Sequence, residues 1–146
     1  MSKLGKQVSE VAVNNYRSKM NCAEAIVTAF DEVCNLGIGT SVKLASGFGG
    51  GMGHAGDVCG ALSGAIMVLG AFKGRPHTPE GSREEIYGLS KGFHTAFVEK
   101  FGATDCDVLR KFDFGTREQG INCLKLISST AELLGDFLVE QKVVQE

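Results

Sequence analysis

The chain has 146 residues, 43% of them apolar, and a formal net charge of −2. That length fits one domain, residues 1–146, with enough apolar mass to fill a core without covalent cross-links. The slightly acidic balance argues against nucleic acid, which wants a basic face.

Met1 to Glu10 is polar and lacks an apolar h-region, so it does not read as a secretory signal. Val8, Val11, Ala12 and Tyr16 follow at helical spacing. Asn21-Cys22-Ala23-Glu24 reads as an N-cap with a carboxylate three residues on, opening an apolar helix through Ile26, Val27, Ala29, Phe30 and Val33. Asn35 to Gly39 ends it, and Ser41 to Ser46 fits one short helix closed by Gly47. Residues 47–58 form a glycine loop. The segment from about Val58 to Phe72 then reads as a helix with small residues, Gly60, Ala61, Gly64 and Ala65, in its first turns. Ile66, Met67, Val68 and Leu69 make its far half apolar all round, which places it centrally and buries it.

Lys73 to Pro76 and Pro79 to Gly81 are loop signals, and His77 between them reads as exposed. Ser82-Arg83-Glu84-Glu85 has the form of a capping box, opening a long helix with Ile86, Leu89, Phe93, Phe97 and Phe101 on one face. His94 beside that stripe reads as partly buried. Thr104-Asp105-Cys106-Asp107 looks like the capped start of a short helix. Gly115 to Gly120 reads as a connector, Ile121 to Leu126 as a turn or more of helix, and Thr130 to about Val144 as a final amphipathic helix. No strand pairs with hairpin turns are visible. The expectation is an all-α, compact helical bundle of about five to seven helices around a buried central helix at about 58–72. Its longest nearly apolar run, Ala61 to Phe72, is too short to span a bilayer, so no membrane insertion is expected.

The chemistry is carried by cysteine. Cys59 follows a stretch with seven glycines between Gly47 and Gly60 and stands where the central helix should begin. A helix start carries partial positive charge and unpaired N–H groups, and a thiol placed there is expected to have a lowered pKa. Cys22 and Cys106 also fall in the first turn of a predicted helix. Five cysteines, an odd number, do not read as a structural disulfide framework, which fits a reducing, cytoplasmic location. The spacings contain no Cys-x-x-Cys and no Cys-x-x-Cys-His, and they match neither a zinc finger nor a ferredoxin loop. Any shared site must be assembled by folding.

Gly51-Met52-Gly53-His54-Ala55-Gly56 formally matches a dinucleotide fingerprint, but no hydrophobic strand precedes it. Consecutive N–H groups in such a loop can instead form a nest for an anion, a thiolate or a cofactor phosphate. Gly53, His54, Gly56 and Gly60 are therefore the candidate cofactor-binding residues. His54, five residues before Cys59, could orient that thiol or share a metal with it. Asp57 reads as a cap, and Cys34 as a core residue near a helix end.

The string Cys59-Gly60-Ala61-Leu62-Ser63-Gly64, continuing into Met67 and Gly70, resembles the motif of the C_GCAxxG_C_C family of small redox-active proteins. The upstream Asn21-Cys22-Ala23-Glu24-Ala25 is similar to the family's other helix start, and Cys106 and Cys123 fall where its two later single cysteines stand. The resemblance covers about residues 8 to 127. It implies an all-α fold related to the cysteine domain of split-Soret cytochromes. The haem-attachment motifs of those cytochromes are missing here, so no covalent haem is expected.

Three functions compete. The leading one is a cytoplasmic thiol redox protein, an oxidoreductase or electron carrier with an unknown redox partner. Cys22, Cys59, Cys106 and Cys123 would be its catalytic residues, and Cys59 its attacking thiolate. The second is a metal protein using the same four cysteines for zinc or an iron–sulfur cluster. The third is a non-catalytic helical interaction module with buried cysteines, which leaves room for a homodimer.

Overall fold

In a computed structural model, residues 1–75 and 82–146 are described. The expected features at Pro76, His77 and Pro79 to Gly81 lie outside them. Helices run over Lys3–Arg17 (α1), Cys22–Cys34 (α2), Gly60–Lys73 (α4), Glu84–Phe101 (α5), Cys106–Leu109 (α6) and Arg117–Glu140 (α7). A 3-10 segment, Gly39–Phe48, and a single turn, Gly49–Met52 (α3), link α2 to α4. No strand occurs among the described residues; the architecture is all-α.

α1 and α7 lie antiparallel, stapled by Ser2 on Asp136 at one end and by the Ser9 and Ser128 hydroxyls, 2.8 Å apart, further along. They come close because two glycines face each other. A methyl on Gly135 would sit 2.5 Å from the Gly5 Cα. α2 and α4 pack side by side and point the same way. A methyl on Gly64 would sit 2.9 Å from the Ala23 carbonyl oxygen, so the small first turns of α4 let the α2 backbone in. Both helices therefore begin at the same end of the molecule, and their partial positive charges add there.

The buried apolar residues form one cluster, with Ile26 and Phe30 of α2, Leu69 of α4, Phe93 and Phe97 of α5, and Ile127, Leu134 and Leu138 of α7 all inaccessible to solvent. The phenylalanine stripe of α5 is core, as its spacing indicates, with Phe97 and Phe101 ring centroids 4.6 Å apart. His94 is exposed instead of partly buried, because the stripe turns it away from the core.

The two helices expected over Ile121–Leu126 and Thr130–Val144 are one, α7. Thr116 caps it by accepting from the Gln119 N–H at 3.2 Å, and no proline interrupts it. Thr130 does not start a helix. Its hydroxyl donates to the Leu126 carbonyl at 2.7 Å and is thereby satisfied inside the core. The Ser82 capping box does not form either. Ser82 Oγ accepts only from the Glu84 N–H at 3.2 Å, and the cap position is Arg83, with no side-chain bond.

A four-cysteine cavity at the shared helix end

The Asn21 capping box forms as expected, Asn21 Oδ1 accepting from the Glu24 N–H and Glu24 Oε1 from the Asn21 N–H, each at 2.9 Å. The same pair is tied to the 3-10 segment by Asn21 Nδ2 on the Ser46 carbonyl and Ser46 Oγ on Glu24. Cys22 is thus fixed as the first residue of α2.

The glycine stretch has a definite shape. Gly50, Gly51, Met52, Gly53 and His54 all have φ between 63° and 69°. Five residues in succession wind left-handed, which L side chains resist by about 1–2 kcal/mol each. Three of the five are glycine for that reason. Space is the second constraint: a methyl on Gly51 would stand 2.6 Å from both the Asp57 nitrogen and the Cys106 Cβ. A methyl on Gly50 would overlap the His54 ring.

After this turn the chain meets the α6 segment in one antiparallel bridge, Val58 with Asp105. The Cys59 N–H donates to the Thr104 carbonyl at 2.7 Å, and the Cys106 N–H to the Asp57 carbonyl at 2.6 Å. Cys59 holds the N-cap position of α4, and Asp57 does not serve as its cap. Cys106 is the first residue of α6. In such a bridge Cys59 and Cys106 fall on the same face, as a diagonal pair.

Cys22, Cys59, Cys106 and Cys123 all line one cavity of about 300 Å3. Cys123 comes from the second turn of α7, not from a helix start. His54 and Gly60 also line the cavity, whereas Gly53 and Gly56 do not. Gly53 is exposed with open space around it, and Gly56 is buried where a methyl would overlap the Asp107 carboxylate. Cys34 lies apart, in a second cavity beside Phe72 and Val144.

Sequence reasoning missed Tyr16, Gly50, Arg110, Phe114 and Gln119 in the wall. His54 stacks on Phe114 with ring centroids 4.2 Å apart, and the Arg110 guanidinium carbon stands 3.9 Å from the same ring centroid. Gln119 donates from Nε2 to the Cys123 sulfur at 3.1 Å. Only that last contact had a signal in the sequence, since residues four apart on a helix meet.

All five cysteines are free thiols. The lowered pKa expected for Cys59 is not found. Burial pushes it up to about 12, with Cys22 nearby adding to the effect, and the N–H groups of Ala61 and Leu62 do not compensate. Cys106 is pushed up to about 11, again by burial first and by Cys22 second. Burial also raises Cys22 and Cys123, more than the N–H groups near Cys22 and the Gln119 amide on Cys123 lower them. Cys59 and Cys106 are only 4% and 7% exposed, whereas Cys22 and Cys123 are half-buried. At neutral pH Cys59 is therefore a shielded thiol and not a thiolate.

Among the described residues no three His, Cys, Asp or Glu side chains are grouped to hold a metal ion. The arrangement as it stands does not fit a single tetrahedral zinc.

An all-α scaffold that brings four distant cysteines to one cavity defines a class, a helical thiol protein. The family model described as "Putative redox-active protein (C_GCAxxG_C_C)" matches residues 20–137, and the chain belongs to that family. A protein of Archaeoglobus fulgidus, described only as uncharacterized, is 28% identical over 131 residues, covering 84% of this chain and 87% of its own. No solved structure matches the chain. Family membership supports a redox-related role. No helix among the described residues is long and apolar enough to cross a membrane.

Proposed function

We propose that the chain is a thiol redox protein that stores and passes electrons by making and breaking disulfides among Cys22, Cys59, Cys106 and Cys123. One observation supports this most: four cysteines from four separate segments line one cavity, and the fifth is excluded from it. Cysteines used only as small core residues have no reason to gather. Five free thiols also suit a reducing compartment such as the cytoplasm, where cysteine pairs cycle instead of staying oxidised.

The test is a thiol count on folded protein before and after mild oxidation, followed by dithiothreitol. The expected result is loss of thiols in pairs, mapped to the four cavity cysteines and restored by the reductant. If all four stay inert in the folded state, the reading fails. Anaerobic purification checks the metal reading at the same time. A brown sample whose colour is lost on Cys59→Ala would replace thiol exchange with cluster chemistry.

A further inference from the structure

Cys22, not Cys59, stands where two helix starts meet in the cavity. Its sulfur rests on the first turn of α4, where a methyl on Gly60 would overlap it. Cys22 is itself the first residue of α2, so the starts of α2 and α4 meet at this one sulfur. Gly50 of the left-handed turn lines the cavity beside it. Cys59 is only 4% exposed, and the Cys123 sulfur accepts from the Gln119 side-chain amide at 3.1 Å. Cys22 is also half-buried, so a reagent entering the cavity can reach it.

We propose that Cys22 is the attacking thiolate of this cavity, that Cys59 is its resolving partner, and that the substrate is a small organic disulfide. This rests on the thiol redox reading given above. A cavity of about 300 Å3, walled by Tyr16, His54 and Phe114, is at the small end of ligand pockets. It takes a low-molecular-weight disulfide more readily than a disulfide carried on a folded protein.

The chemistry balances. The Cys22 thiolate attacks one sulfur of RS–SR′, the S–S bond breaks, and R′S⁻ leaves with the electron pair and takes a proton. Cys59 supplies that proton to the departing thiolate and, itself now a thiolate, attacks the Cys22 sulfur of the mixed disulfide. The Cys22–Cys59 bond forms, and RS⁻ leaves and is protonated. Two electrons have passed from the cysteine pair to the substrate. Cys59 is placed for the second step because it directly precedes Gly60, on which the Cys22 sulfur rests. Its burial, at 4% exposure, keeps it from the incoming reagent, whereas the half-buried Cys22 can be reached first.

The test uses reduced, full-length protein and a substoichiometric amount of dipyridyl disulfide, with acid quenching and peptide mapping. In Cys59→Ser the first mixed disulfide is expected on Cys22, at a rate at least about tenfold above any other cysteine. In the unaltered protein the product is expected to be a Cys22–Cys59 disulfide. A first adduct on Cys59 in the unaltered protein, or on Cys106 or Cys123 in either, overturns the assignment while leaving the redox reading intact. Oxidised insulin chains reacting faster than the small disulfide overturn the substrate class. Failure of every oxidant to form a reversible disulfide overturns the redox reading itself.

Discussion

Cys22 and Cys34 are the first and last residues of one helix, both are half-buried, and each lines a cavity of about 300 Å3. At the Cys22 end the helix presents its unpaired N–H groups, a second helix begins alongside, and Gly50 of the left-handed turn lines the same cavity. At the Cys34 end burial alone acts on the thiol and raises its pKa. The chain there passes through Asn35 in a left-handed C-cap and carries no second cysteine. The same residue type at the two poles of one helix is thus placed in opposite surroundings. Helix polarity and the company of other sulfurs separate a chemical site from a packing site.

The sharpest way to break this contrast is a pair of substitutions. Cys22→Ser is expected to abolish reversible oxidation through the cavity, and Cys34→Ser to leave it unchanged, as read by thiol counting. Equal effects would erase the distinction. The next effect is on stability. Gly37 and Gly51 both have positive φ, but Gly37 faces open space whereas Gly51 is hemmed in by Asp57 and Cys106. Gly51→Ala should cost about 2–5 kcal/mol, from backbone strain plus overpacking, against about 1–2 kcal/mol for Gly37→Ala. Denaturant melts measure both.

Asn21→Ala removes one side of the capping box at the Cys22 end and should cost about 1 kcal/mol, whereas Asn35→Gly at the other end should change stability by only a few tenths. A separate effect is expected at alkaline pH. Cys59 titrates at 9.0 in an ordinary setting and at about 12 in the fold. Between those values the unfolded chain binds fewer protons than the folded one, so stability falls as pH rises. Cys59→Ala should flatten that limb, and an unchanged limb would remove the burial argument.

Much of the helical frame was legible because its signals are local. The Asn21 box, the α5 phenylalanine stripe and the small face at Gly60 and Gly64 each lie within a few turns. Three of the four cavity cysteines could be placed at or near helix starts on the same grounds. Other features were not legible. Nothing in the sequence places Tyr16 or Arg110 beside the thiols, since their contacts are set by how α1 and α6 dock. The pKa of Cys59 was misread because helix polarity is a local property and burial is not. The single long α7 was misread at Gly120, since a glycine in a first turn costs too little to break a helix.

The Val58–Asp105 bridge closes the chain between those residues into one large loop. Its entropy must be spent before the contact stabilises anything, so pairing of this kind belongs to the late stages of folding. Cys22 and Cys34, by contrast, are near neighbours along the chain and leave the ribosome long before Cys59, Cys106 or Cys123. A chain that meets an oxidant during synthesis therefore has the wrong sulfur within reach of Cys22. On the thiol redox reading, newly made protein would need a reducing environment until the bridge has formed, and the order of assembly would become part of how the site chooses its partners.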